Sequence, residues 1–512
     1  MSAPDPQHRI AHLEHELQST TRELQWAQLK IQVLEERLRQ QRIRLLGPGS
    51  ETLSDLQLQL LADEEPGVTA EEIEAEARRE PVALETKPER KPHPGRERLP
   101  EHLPRVEKVI RCSEQQCQAC GRETAVIGYD ESEQLDVEPA RYFVRVIKRE
   151  KRACRNCKAG PVAMAVRELR IIDKGMASNR IVVAAVISKY CDHVPLYRQA
   201  AILGRESGLA ISRATLDGWV MRVGELLRPI VEAMRRDLLQ TKYLQADETT
   251  VPVQMHDRRG QNHQAYLWQY GQPGGELVFE FCMGRERAGP QRFLGKWEGI
   301  LQTDGYRAYE GIGGSAMVHV GCWAHARRKF VDAVKVSRDD ADAVKMTVRM
   351  DALFTVDREA RRLAVSNEQR MAMRREHALP WLREIREECL SLSKQVLPQS
   401  ALGKAVAYTL NMWQKLARCL EYGHVELSNN LAENSMRPVA LGRKNWIHVG
   451  SPNAGPKVAA ILSVIESCRR LRLSPTEYLA DVLPGLDHLH LSQVSQLTPA
   501  RWAARLSAPG LV

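Results

Sequence analysis

Two cysteine pairs most constrain what this chain can fold into. Cys117-x2-Cys120 and Cys154-x2-Cys157 stand 33 residues apart. A two-residue gap lets both thiolates of one turn reach one ion, and zinc takes four such ligands tetrahedrally. The segment between the pairs must therefore double back, and its alternating pattern (GYDESEQLDVEPARYFVRVIKREKR) reads as strands. The expectation is a zinc-ribbon-like module over 106–165, with Zn2+ on Cys117, Cys120, Cys154 and Cys157. Four sulfurs leave no open position, so this metal is read as structural. Cys112 is a fifth candidate ligand, and a redox pair or unpaired core thiols are the rival readings. Arg141, Arg145, Lys148, Arg149, Lys151 and Arg152 lie around the second pair. Such a basic module suits contact with backbone phosphate, although a solvated charged face accounts for the same residues.

Cysteine usage also bounds the compartment. Eleven cysteines, an odd number, in 512 residues do not read as a disulfide scaffold. The opening MSAPDPQ has neither the basic nor the apolar part of a secretory signal. The longest apolar runs, Ile181–Ile187 and Val458–Ile465, fall far short of the ~20 residues of a membrane span. The expectation is a cytoplasmic protein in a reducing compartment, with no membrane partner. Lys plus Arg number 74 against 65 Asp plus Glu, and that excess favours a polyanionic partner.

The length predicts three or four units. Residues 8–46 repeat every seven positions: Ile10, Leu17, Leu24, Ile31, Leu38 and Leu45 form one seam. The companion seam is weaker (Leu13, Thr20, Ala27, Leu34, Gln41). This spacing predicts a coiled coil that pairs copies of the chain, the alternative being a lone amphipathic helix. Residues 47–105 turn acidic, then basic with five prolines between 86 and 104, and read as a linker. Residues 166–238 read as helical. Within them LGRESGLAISRATLDGWV (203–220) has the form helix, glycine turn, Ser or Thr cap, helix. That is helix-turn-helix-like, and equally the form of many helical hairpins. Strands are predicted over 242–253, 265–270, 276–283 and 299–303, then helices over 331–420, and short helices close the chain over 451–512.

Three acids have distinctive settings. Asp247 follows Tyr243-Leu244, Asp304 follows Ile300-Leu301, and Glu433 lies in LSNNLAENSMRP. An acid at a strand end projects from a rigid backbone into the cleft the sheet presents. Two such acids and a helix-borne third can converge on hard cations, Mg2+ or Mn2+, whose chemistry suits phosphodiesters. Ordinary strand-end or capping acids are the competing reading. Cations accompany them: His325, Arg327, Arg328 and Lys329 in GCWAHARRKF, then Arg437, Arg443 and Lys444. These are read as DNA-binding residues. Cys322 and His325 stand one helical turn apart, and we favour an orienting or packing role over a metal site. Trp323 and Trp446 have the chemistry to stack on an unpaired base, but a core position is the plainer reading.

These blocks resemble the transposases of the insertion sequence 66 family across nearly the whole chain. The resemblance rests on RIRLLGPGSETLSDLQLQLL, HPGRERLPEHLPR, the cysteine pairs and KYCDHVPLYRQAAIL. It continues through the block around Asp247, TDGYRAY, GCWAHARRKF, NNLAENSMRP and ALGRKNW. Two positions depart from the family pattern, Asn434 after the third acid and His448 after the last block. The resemblance implies a multi-domain α/β chain with an RNase-H-like catalytic core over 239–450 and a DDE triad of Asp247, Asp304 and Glu433 holding Mg2+ or Mn2+. It also implies a leucine-zipper-like N-terminus and a zinc-finger-like DNA-binding module. From 304 to 433 is 129 positions, so 331–420 is expected as a helical insertion in that core. The implied activity is transposition of a bacterial insertion sequence in the cytoplasm, at the nucleoid. The enzyme would bind terminal inverted repeats, hydrolyse phosphodiesters and transfer strands to target DNA. Small accessory proteins are possible partners. A non-catalytic zinc-dependent DNA-binding regulator and a stand-alone nuclease are the alternatives.

Overall fold

In the computed structural model, the described residues are 142–152, 163–255, 261–337 and 340–507, with Arg105, Glu107 and Val109. The coiled coil expected over 8–46 and all four knuckle cysteines lie outside them. Leu53–Val146 forms a separate unit whose few described residues carry no helix or strand. Everything below concerns residues 147–507. These begin with a two-residue antiparallel ladder, Lys151–Arg152 against Ala163–Met164.

Three helices come next: α1 (Asn179–Tyr190), α2 (Leu196–Ser207) and α3 (Arg213–Leu238). Gly208 ends α2 in the left-handed region at φ 70°, where a side chain is disfavoured. Ser212 then caps α3 by accepting from the Thr215 amide. Glycine turn and serine cap thus fall where the sequence suggests.

The five-stranded sheet contains β1 (Tyr243–Gln254), β2 (Asn262–Gly271), β3 (Leu277–Cys282), β4 (Ile300–Gln302) and β5 (Val318–Val320). Its spatial order is β3-β2-β1-β4-β5. The first three strands form an antiparallel meander, whereas β4 and β5 run parallel to β1 and to each other. The short helix α4 (Ala288–Leu294) occupies the β3–β4 crossover. β3 is an edge strand, and its outward amides need partners. The helix α12 (Gly455–Arg470) supplies them: Ser467 Oγ accepts from the Leu277 amide at 3.0 Å and Ser463 Oγ from the Phe279 amide at 2.8 Å. The main core lies between this sheet and helices α1, α3 and α12.

After β5 the chain builds a second apolar core from α5 (Trp323–Val336), α6 (Ala341–Arg362), α8 (Leu379–Leu392), α9 (Ala401–Asn411) and α10 (Trp413–Ala417), while α7 (Asn367–Met373) buries Arg370. The helical stretch expected over 331–420 thus begins at Trp323. A buried ion cluster anchors it. Asp357 is 2% exposed and faces Arg370 and Arg374. Arg374 also donates to the Cys419 carbonyl at 3.0 Å and the Val425 carbonyl at 2.8 Å. That ties the helices to the segment leading into α11 (Asn430–Trp446). The chain then pairs again with β1 through Val449, and ends in α12, α13 (Pro475–Val482), α14 (Leu491–Val494) and α15 (Pro499–Ser507).

Removing Asp357 leaves Arg374 buried without an acid and Arg370 with Glu426 alone, a change that costs about 3–5 kcal/mol. Asp357→Ala should lower the urea midpoint accordingly, and an unchanged midpoint would contradict the anchoring role.

Candidate active site

The site is built from the sheet outward. Gln245 on β1 pairs in parallel register with Gln302 on β4. Asp247 and Asp304 each stand two residues further on, Asp247 still within β1 and Asp304 just past the end of β4. Asp304 sits in a tight turn. Its Oδ1 accepts from the Tyr306 amide at 2.9 Å. Gly305 follows at φ 91°, and a Cβ there would stand 2.6 Å from Met412 Cε. Only glycine fits the turn, which explains TDGY in physical terms. Tyr408 holds the Asp304 carbonyl with a 2.7 Å hydrogen bond.

The third acid comes from α11, whose first turn holds Glu433. Buried side-chain amides fasten the preceding segment to the strands. Gln302 Nε2 donates to the Glu426 carbonyl at 2.7 Å, and Gln245 Nε2 to the Ser428 carbonyl at 3.0 Å. Asn429 Nδ2 donates to the Ala246 carbonyl at 2.9 Å, while its backbone amide reaches Cys322 Sγ at 3.2 Å. Glu433 follows this fastened segment by four residues, near enough to contribute to the rise in the Asp247 value.

Electrostatics register that proximity. Burial pushes the Asp247 carboxyl up to about 8, with Glu248, Asp304 and Glu433 adding to the rise. Glu248 is taken up elsewhere: it is bound by Arg285 and accepts from the Tyr309 hydroxyl at 3.1 Å. Glu433 Oε2 accepts from Arg328 Nη2 at 2.9 Å, and its Oε1 lies 3.5 Å from His325 Nδ1. Neither that oxygen nor that ring nitrogen has a hydrogen-bond partner. Burial lowers the His325 value, against the pull of Glu433 and Asp304. Arg328 is half exposed, so its pair with Glu433 is worth about 0–1 kcal/mol and is readily exchanged.

One group of possible metal ligands among the described residues has its donor atoms within 4.8 Å of one another: Cys322, His325 and Glu433. Cys322 is fully buried, and burial raises its thiol to about 11, so it is a neutral thiol accepting from Asn429 rather than a ready thiolate. Asp247, Asp304 and Glu433 are hard oxygen donors of the kind a divalent cation prefers, although their donor atoms do not all lie within 4.8 Å of one another. The burial and acidic neighbours that keep Asp247 from ionising are what such an ion would offset.

The remaining cations divide. Arg327 forms a two-pronged pair with Asp351 at 2.6 and 2.8 Å, and Lys329 lies 4.7 Å over the Tyr408 ring. Arg443 binds the Thr249 and Thr250 side chains and the Thr250 carbonyl, fastening α11 to β1. Arg437 and Lys444 are exposed, and their spacing of 4 and 11 residues from Glu433 puts all three on one helix face. Trp323 is core: it is fully buried and donates to the Leu416 carbonyl at 3.0 Å. Sequence reasoning missed Gln245, Gln302 and Asn429, although Gln-x-Asp recurs at both strand acids. It also missed Glu248, Arg285 and Tyr408, whose roles depend on contacts distant in the chain.

Comparison with known proteins agrees with this layout. The profile described as Transposase IS66 family matches residues 174–457. One described as the zinc-finger binding domain of transposase IS66 matches 114–158, spanning all four knuckle cysteines. A third, Transposase C of IS166 homeodomain, matches 33–107. Among similar proteins, the uncharacterized protein y4jD of Sinorhizobium fredii is 33% identical over 79% of this chain and 82% of its own length. The uncharacterized protein y4qI of the same organism is 31% identical over 82% and 79%. The chain is thus of the transposase class, with zinc-finger and DNA-binding parts. It belongs to the IS66 transposase family. No helix among the described residues is long and apolar enough to cross a membrane.

With its value raised, Asp247 in the cation-free protein contributes stability that is whole below the ordinary 3.8 and is lost as the pH rises to about 8. In EDTA, Asp247→Asn should therefore have a higher melting temperature than wild type, and the gap should widen from pH 5 to pH 8.5. Mg2+ should raise the wild-type value at pH 8 and leave the variant unmoved. A gap independent of pH, or equal Mg2+ responses, would count against the clustering.

Proposed function

We propose that the protein is an Mg2+-dependent DNA strand transferase acting on the ends of its insertion sequence, with Asp247, Asp304 and Glu433 as the catalytic acids. The observation that carries this reading is the parallel register of Gln245 with Gln302, with the amide stitch that brings Glu433 to the same strand ends. The sheet order, an antiparallel meander flanked by two parallel strands, supports an RNase-H-like core interrupted by the helices from Trp323 to Ala417.

Divalent cations held by the three acids would activate the attacking oxygen and stabilise the leaving one. The chain's own residues do the rest. Water attacks the phosphodiester at the element end, the bond from phosphorus to the 3′ oxygen breaks, and a free 3′-hydroxyl remains. That hydroxyl then attacks a target phosphodiester and displaces its 3′ oxygen. Arg437 and Lys444, on the Glu433 face of α11, position the strand by its phosphates. Arg328 holds Glu433 until the cations arrive, with His325 alongside. In this reading Arg327 and Arg443 shape the site from behind, and Lys329 backs Tyr408. Zn2+ on Cys117, Cys120, Cys154 and Cys157 stiffens the module that, with α2 and α3, grips the inverted repeats. The 8–46 coiled coil joins protomers so that two ends are handled together, with small accessory proteins as further partners.

Asp304→Asn should bind end DNA as wild type does yet join no strands in an Mg2+ assay with labelled ends. Retained joining would remove Asp304 from the triad, and binding of unrelated DNA with equal affinity would favour a nuclease. For the assembly claim, Leu24→Pro should reduce the molar mass seen by light scattering, and an unchanged mass would contradict it.

A further inference from the structure

The helix that carries Glu433 ends at a pocket the catalytic reading leaves unused. Trp446 closes α11, 13 residues beyond Glu433, or about 20 Å along a helix. Beside it opens a cavity of about 250 Å³ between α1, α3 and the start of α12. Its lining combines the Trp446 indole with Lys189, Tyr190, Asp217, His448 and Asn453. Gly442, one turn back, leaves room for the indole, since a Cβ there would lie 2.4 Å from Trp446 Nε1. The Tyr190 hydroxyl is buried with no hydrogen-bond partner, a costly arrangement in an empty site.

We propose that this pocket receives one extrahelical nucleobase of the bound DNA strand. An aromatic face, donors from lysine and tyrosine, and the Asp217 acceptor match the mixed polar edge of a base. A bare phosphate would meet Lys189 and Lys457 but also Asp217, and it would leave the indole face uncovered, so a base satisfies more of the lining. The 20 Å separation corresponds to about six nucleotides of a strand whose scissile phosphate lies at the acids. The exposed Arg437 and Lys444 lie on the helix between the two sites. The assignment rests on the DNA-joining reading for its source of the base, but its test needs no catalysis.

The probe is a 40-base-pair duplex with one bulged 2-aminopurine, titrated with zinc-loaded full-length protein in buffer without Mg2+ or chelator. Wild type should quench the probe and bind the bulged duplex about tenfold more tightly than the unbulged one. Trp446→Ala should lose both effects while keeping its affinity for unbulged duplex. Tyr190→Phe removes only an unpartnered hydroxyl, so its melting temperature should hold or rise while the bulge preference falls severalfold. That combination separates a ligand contact from a packing role. Asp304→Asn should keep the full preference, so failed joining and a failed pocket are read independently. Equal binding of bulged and unbulged duplex by wild type, unchanged preference in Tyr190→Phe, or equally tight quenching of the free 2-aminopurine nucleotide would overturn the proposal.

Discussion

A buried stitch of side-chain amides holds the third acid against the sheet. Gln245, Gln302 and Asn429 reach across 124 to 183 residues of sequence and satisfy the carbonyls of Ser428, Glu426 and Ala246. The amide nitrogens are all paired, and breaking one of these buried bonds would cost about 1–3 kcal/mol, whereas Gln245 Oε1 and Asn429 Oδ1 are buried without partners. The Tyr243 hydroxyl joins the same network through the Glu426 amide. The helices between β5 and α11 can therefore be long without loosening the site. Their own buried cluster, Asp357 with Arg370 and Arg374, fastens them to the same segment.

Gathering acids at one sheet end is unfavourable in the absence of a counterion, and the molecule meets that cost in several ways. Glu248 is neutralised by Arg285, which also stacks 3.8 Å over the Tyr306 ring. Glu433 is held by Arg328, and Asp247 is driven toward its protonated form. Arg328 is weakly held because it is exposed, whereas Arg285 covers a carboxylate with only 3% of its side chain exposed. That difference separates a cation that can be exchanged from one that is part of the scaffold.

Much of this was legible beforehand, for identifiable reasons. Alternating β-formers gave four strands, each within a few residues of its observed bounds. Val318–Val320 escaped because three residues carry no period. Gly208 and Ser212 declared a turn and a cap because their chemistry is local. The acids were conspicuous as strand-end residues, but their meeting depends on register, which is set by pairing between distant segments. Side-chain partners were the least legible. Arg327 and Arg443 look like Arg437 in sequence, yet pairing with Asp351 and with Thr249 and Thr250 separates them. Trp323 and Trp446 looked alike too, and only burial distinguishes the core tryptophan from the one that lines a cavity.

The account stands or falls on where divalent ions sit. Anomalous diffraction from crystals of the full chain grown with DNA and Mn2+ tests it most directly. Density in contact with the carboxylates of residues 247, 304 and 433 together is the predicted result. Ions found instead on Cys322 and His325, with the two aspartates bare, would contradict it.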